Sequence, residues 1–430
     1  MPSNLWKRTL FAIGCLVAAL LIAFFVVRPF LLSKPQGRQA SINLSVDQDV
    51  DDFFNAYWRR PIPIQGTAPA SFTEREASLR PEACASCHPQ QYADWKGSLH
   101  GKAMGPGPWG QIIDLSWNSP HEAVLCMSCH APLSEQMPFL AEDNGAAAKK
   151  HAKNPSYDPQ LQLEGITCAA CHVRQHRRFG PPKAERVSAG YPPGIGNHGG
   201  AVRTPHFEKA EFCKECHQFD PKETVLVNGK PLQDTFREWQ DSAWGKGEAS
   251  CQQCHMPNRR HLWKGIHDAE WVRGGVRFEA ELGGRSPLEI TLKVTNAAVG
   301  HKFPTYITPK VFVRGALLDQ SGKMIPGSEQ ERVIGWDARF EDGGWKEYFD
   351  TRVAPGKRFQ ARFRWPLPGQ AKKIRAWVEI HPDHFYHHHF YPAYLKDRAL
   401  SPEGRKLIEK ALLDSGRTPY ILFEELIPLN

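Results

Sequence analysis

The sequence predicts three regions in tandem: an N-terminal transmembrane helix, a mainly helical and loop-rich domain organised by bound prosthetic groups, and a C-terminal immunoglobulin-like β-sandwich with a terminal helix. Three observations carry that reading. Residues 9–27 contain no charged side chain, Cys-x-x-Cys-His occurs five times between residues 84 and 255, and apolar and polar residues begin to alternate near residue 285. The expected division is a membrane anchor over 1–32, a tether over 33–75, a domain carrying the five motifs over 76–284 and a β-sandwich over 285–430.

The uncharged run from Thr9 to Val27 is flanked by Lys7-Arg8 and by Arg28. A helix needs roughly 20 apolar residues to cross a bilayer, so this run is near the short end of sufficient. A cleaved signal peptide has a shorter apolar core followed by a small-x-small site. Here Arg28-Pro29-Phe30-Leu31-Leu32 comes next, so an uncleaved anchor is expected. Basic residues at both ends leave its orientation to be set by the rest of the chain. The stretch after it reads as a tether, with a short amphipathic piece around Val50 to Trp58.

The five motifs pair Cys84 with Cys87, Cys126 with Cys129, Cys168 with Cys171, Cys213 with Cys216 and Cys251 with Cys254. Each is followed directly by a histidine, at His88, His130, His172, His217 and His255. This spacing is that of covalent haem attachment: two thiols hold the porphyrin, and the adjacent imidazole takes one axial position on the iron. Zinc sites also use paired cysteines but need no histidine after every pair. Disulfides predict no such regularity. Ten of the 11 cysteines lie in the motifs, and the eleventh, Cys15, lies inside the apolar run. Five covalently bound haems c are therefore expected. In bacteria that attachment occurs outside the cytoplasmic membrane. The protein is accordingly expected to be single-pass in the inner membrane with its bulk in the periplasm.

The motif histidines are spaced by 42, 42, 45 and 38 residues, but the intervals share no apolar pattern and are rich in Gly and Pro. Short motif-bearing helices joined by loops are expected, with the porphyrins supplying much of the buried apolar surface. The formal charge of +8 does not argue for nucleic acid. The haem propionates would offset it with roughly ten negative charges, and no nucleic-acid motif is present.

The C-terminal part alternates with period two in Pro287–Asn296, Val311–Leu318, Phe359–Trp365 and Lys373–Ile380, with turn residues between the runs. Such runs read as sandwich strands. A helix comes after them, with Ser401 as cap, Pro402 in its first turn, Leu407, Ile408, Ala411 and Leu412 on one face, and Gly416 as its stop. The segment His381–Tyr391 carries five histidines. It reads as a solvated loop, a metal site or a source of a haem ligand.

Around the motifs the chain resembles the multihaem cytochrome c-554 family, in its c-552/c-554-like branch. The resemblance rests on Tyr92-Ala-Asp-Trp95-Lys-Gly-Ser98-Leu-His100, on Gly165-Ile-Thr-Cys168 through His172 with His176 beyond, on Glu238-Trp239-x-x-Ser242 ahead of the fifth motif, and on Gly300-His301-Lys-Phe303-Pro304-Thr305. It covers about residues 80 to 310. It implies a carrier of electrons between periplasmic partners, with enzymes among the wider relations. The Cys-x-x-Cys-Lys that marks the active haem of pentahaem nitrite reductases is absent.

Of 19 histidines, 14 lie outside the motifs. His100, His176 and His301 match the resemblance as distal iron ligands. His206, seven residues before the fourth motif, and His267, twelve after the fifth, are expected by proximity, with His121 and His261 competing. Two imidazoles per iron favour electron transfer over substrate binding. The leading expectation is therefore an electron-transfer protein with redox partner proteins in membrane or periplasm. A multihaem oxidoreductase acting on a small nitrogen or sulfur compound at one open haem, and a membrane-tethered assembly subunit, compete with it. Donor, acceptor and oligomeric state are left open.

Overall fold

The computed structural model describes residues 44–429, apart from 46, 142–150, 184–199, 223, 225, 342 and 367–368. The anchor expected over 1–32 lies outside the described residues. No helix among those described is long and apolar enough to cross a membrane.

The first described helix, α1 (Val50–Tyr57), is capped by Asp49, whose side chain accepts from Asp51 N. It is the amphipathic piece expected around Val50 to Trp58, and it packs where the sequence predicts a tether over 33–75. Phe53, Phe54, Tyr57 and Trp58 bring one helical face of aromatic surface, and all four are buried. Burying each such side chain stabilises by about 1.5–3 kcal/mol, so the segment packs onto the motif-bearing domain. Phe53 stacks on His206 with ring centroids 4.3 Å apart. The Tyr57 hydroxyl donates to Cys171 O at 2.7 Å, and the Arg174 guanidinium lies 3.9 Å from the Tyr57 ring centroid.

Short helices carry the motifs, as expected, with Cys87 and His88 of the first lying just beyond its helix. They span Pro81–Ala85, Pro120–His130, Cys168–His172, Glu211–His217 and Cys251–His255. The starts of four are set by Pro at the first turn or by Thr167 and Ser250 as caps, and Glu211–His217 has neither. Helical spacing puts the two cysteines, three residues apart, on one face with the histidine beside the first of them.

The sandwich has eight strands: β1 (Val276–Arg285), β2 (Leu288–Asn296), β3 (Lys310–Leu318), β4 (Gln330–Glu341), β5 (Gly344–Asp350), β6 (Arg358–Trp365), β7 (Lys373–His381) and β8 (Tyr420–Pro428). One sheet has the order β5-β4-β3-β7-β8 and the other β6-β2-β1. All neighbours are antiparallel. Leu288, Ile290, Leu292 and Val294 alternate inward from β2 against Val311, Val313, Leu317, Ile374, Val378 and Phe363. The sandwich thus begins at Val276, before the expected boundary at 285, because β1 pairs along β2 from Val276↔Asn296.

The C-terminal helix, α3 (Pro402–Ser415), has the predicted Ser401 cap, which accepts from Gly404 N. It is not terminal, since β8 comes after it and joins β7. It packs on α2 (Pro106–Asn118) of the motif-bearing domain. The approach is close at Gly110, where an added Cβ would lie 2.9 Å from Ile408 Cδ1. Ser401 N donates to Asp114 Oδ2 at 3.0 Å across the same contact. Gly110→Val is expected to lower stability by about 1–3 kcal/mol through overpacking, which outweighs the gain of up to ~1 kcal/mol in helix propensity. Urea unfolding followed by circular dichroism measures it, and unchanged stability would show that the two helices are not in tight register.

Candidate haem centre

The five motifs open into one continuous cavity of about 3450 Å³, walled by all ten motif cysteines and all five motif histidines. A single-ligand pocket holds roughly 300–1,000 Å³, so the space suits several large groups. The ten cysteines form no disulfide. Among the described residues no three or more of His, Cys, Asp and Glu converge as a metal cage.

Four motif histidines have Nδ1 engaged. It faces Ala103 O for His130, Phe179 O for His172 and Lys264 O for His255, each at 2.8 Å, and the Tyr306 hydroxyl for His217 at 3.1 Å. A carbonyl only accepts, so in the first three Nδ1 carries the proton and the lone pair is on Nε2. That is the tautomer an iron ligand needs. Loss of water holds the imidazoles neutral. His172 and His217 are pushed down to about 4 by burial first, with His261 and His255 respectively adding repulsion.

Three motif histidines face a second imidazole. His172 and His261 have ring centroids 6.1 Å apart, His217 and His100 6.2 Å, and His255 and His301 6.4 Å at an interplanar angle of 10°. A metal–imidazole bond of about 2 Å and a ring centroid about 1 Å behind its nitrogen put two imidazoles on opposite sides of one metal roughly 6.3 Å apart. The residues present therefore fit a haem iron between each pair. His121 and His151 are also 6.3 Å apart, but neither belongs to a motif or lines the cavity. Among the described residues no ring stands opposite His130.

The partners are held by local structure. His100 follows Ser98, whose hydroxyl donates to Trp95 O, and His100 O accepts from Ile166 N. Gly165 permits this approach at φ +65, for a Cβ there would lie 2.9 Å from His100 O. Asp94 binds the Arg260 guanidinium through both carboxylate oxygens and accepts from His261 N at 3.0 Å. His301 has Nδ1 on Lys302 O at 2.9 Å, and Asn296 Nδ2 donates to its carbonyl. Burial, first among the causes, pushes His100 down to about 3 and His301 to about 4.

Of the other expected distal ligands, two lie off the cavity wall and one lies on it. His176 does not line the cavity, and its Nε2 sits 3.0 Å from Gly66 O. His206 is off the wall as well, in the aromatic core with Phe53 and Phe54. His267 is on the wall, with Nε2 3.1 Å from Asp383 Oδ2. The partner of His172 is instead His261. Positive φ at Asn258 and Arg259 turns the chain back after the fifth motif, and Pro257-Asn258 is the turn signal that marks it in the sequence. In the histidine-rich segment, His381 pairs with Glu379 while His388 and His389 reach the cavity wall.

Thiols of different motifs meet. Cys84 is in hydrogen-bonding reach of Cys168, Cys129 of Cys216 and Cys213 of Cys251. Cys171 also lies near enough to act on Cys213 and Cys216. The fourth motif is thus the junction of the array, next to the second, third and fifth.

Residues 83–173 match the family described as cytochrome c554 and c-prime. A cytochrome c-552 of Aliarcobacter butzleri is 22% identical over 190 residues, which cover 43% of this chain and 36% of that protein. The chain thus matches little more than a third of that relative's length. The fold is similar to the crystal structure of a penta-heme cytochrome c552 from Thermochromatium tepidum, at TM-score 0.55 and 18% identity over 82% of this chain and 100% of that one. The five haem-attachment motifs open into one cavity, and over the lengths given the chain is similar to multihaem c-type cytochromes of the c-552 and c-554 kind.

Proposed function

We propose that this chain is a membrane-tethered periplasmic cytochrome carrying five haems c, which passes electrons from a membrane-side donor to a periplasmic acceptor. The observation that carries the reading is the pairing of His172, His217 and His255 with His261, His100 and His301 across gaps of 6.1–6.4 Å. An iron with imidazole on both sides exchanges electrons and has no position left for a substrate. The chain's own contribution is to fix the spacing of the groups, exclude water and tune each imidazole through its Nδ1 partner. Adjacent thiols link all five motifs into one connected array, as a conductor requires.

A second reading rests on His130, which has no opposed imidazole among the described residues. A haem there would keep an open side, beneath a wall that includes Tyr386, Tyr391 and Tyr394. That suits a multihaem oxidoreductase acting on a small nitrogen or sulfur compound.

Low-temperature electron paramagnetic resonance of the oxidised protein separates the two, with the haems counted by alkaline pyridine assay. Five covalent haems and at least three low-spin ferric signals are expected. A high-spin signal abolished by His130 substitution would favour the second reading, and high-spin haem throughout would defeat the first. Location has its own test. The full chain is expected to fractionate with membranes, and a chain lacking residues 1–32 behind a cleavable signal is expected to be soluble and haem-loaded. A full-length chain recovered in the soluble periplasmic fraction would remove the anchor.

A further inference from the structure

The fourth motif differs from the second, third and fifth in what stands behind its histidine. His130, His172 and His255 each place Nδ1 2.8 Å from a main-chain carbonyl. His217 instead meets Tyr306 Oη at 3.1 Å and Gln233 Nε2 at 3.3 Å. The amide nitrogen of Gln233 also lies 3.2 Å from Tyr306 Oη and 3.4 Å from Cys216 O. The carbonyl of Cys216 fixes which end of the amide points inward, because an amide oxygen there would face another oxygen. With Nε2 on iron, His217 Nδ1 must carry a proton and donate it. The amide nitrogen cannot accept, so the acceptor is the phenol oxygen. That oxygen already receives the amide's hydrogen, and it is a poorer acceptor than a peptide carbonyl.

An imidazole whose N–H is strongly accepted is a more basic ligand and stabilises ferric iron; one whose N–H is weakly accepted stabilises it less. We propose that Tyr306, held by Gln233, sets the reduction potential of the haem on the fourth motif and keeps it above those on the third and fifth. Tyr306 touches His217 and not the iron, so it is a positioning residue. It comes from the loop between β2 and β3, the loop that also supplies His301. The sandwich therefore reaches the array at two neighbouring haems. At one it faces the motif histidine with an imidazole, and at the other it adjusts the motif histidine from behind. Because the fourth motif adjoins the second, third and fifth, a raised potential there makes the junction the place where an electron rests.

The inference stands on the haem reading above, and its test separates the two. Redox titration of the full-length holoprotein, followed optically and by paramagnetic resonance, resolves individual midpoints. Gln233→Glu keeps the shape of the side chain and offers a carboxylate to Nδ1. One midpoint is expected to fall by at least tenfold in its one-electron equilibrium, about 59 mV, with the others unmoved. Tyr306→Phe removes the acceptor and is expected to shift the same midpoint upward. Both variants retaining all haems and low-spin signals, yet leaving every midpoint within twofold of wild type, would overturn the assignment. Absence of covalent haem from the wild-type protein would sink the haem reading instead.

Discussion

Cys168→Ala with Cys171→Ala is expected to remove one covalent haem and to cost more stability than any surface substitution in the chain. The third motif is the most enclosed of the five. Ala169 and Ala170 between its cysteines are buried, and so are Val173 and Phe179 beyond them. Tyr57 bonds to Cys171 O, and the buried Arg174 donates to Tyr57 O, Ala170 O and Val173 O. Cys168 also lies against Cys84 of the first motif. Losing the group here empties part of the cavity beside the aromatic cluster around α1 and loosens the contact between α1 and the motif. The loss should exceed about 4 kcal/mol, the range reached only when a core is opened or a bound group removed. Intact mass gives the haem count, and thermal unfolding followed by circular dichroism gives the stability. A variant with the wild-type haem number would mean that these thiols do not attach haem.

His301→Ala is expected to convert one low-spin haem to high-spin and to loosen the sandwich from the array. The imidazole of His301 lies parallel to that of His255, and its backbone is fixed on both sides. Asn296 holds its carbonyl, and Glu238 accepts from Lys302 N and from the Thr305 hydroxyl. Glu238 is itself paired with Arg352, whose side chain is 1% exposed. Removing the imidazole leaves those anchors and opens one coordination position, so the spin change should be large while the fold survives. Paramagnetic resonance counts the spin states, and a peroxidase assay reports an opened site. An unchanged low-spin count would show that His301 is not a ligand and that the sandwich docks by its ion pairs alone.

The two tests fall on residues that differ in how far the sequence exposes them. The motif cysteines are legible because haem attachment fixes the residue types and their spacing within five positions. His301 and His100 are legible through resemblance, each inside a longer recognisable segment. His261 is not, because its position depends on a backbone reversal at Asn258 and Arg259 and on Asp94, far away in the chain. Neither His176, expected from the resemblance, nor His206, expected from proximity to a motif, lines the cavity, because neither signal fixes which way a ring turns. The strands divide likewise. β2, β3, β6 and β7 have buried faces, so alternation shows in their sequence; β1 alternates as well over Val276–Leu282, ahead of the expected boundary, whereas β8 is a mostly exposed edge and carries little of it. The sequence marks α1 as an amphipathic piece around Val50 to Trp58, but its place in the core shows only in the fold, where its aromatic face is buried.

The contact of α3 with α2 joins residues nearly 300 positions apart. The segment just before it, around Phe385 to Tyr394, forms one wall of the cavity. Everything that captures the cofactors is therefore synthesised well before the piece that encloses them. Chain order is expected to give a time window in which the groups enter through an unfinished side. Addition of β8, the last of the described strands in the chain, to the sheet edge is expected to end that window.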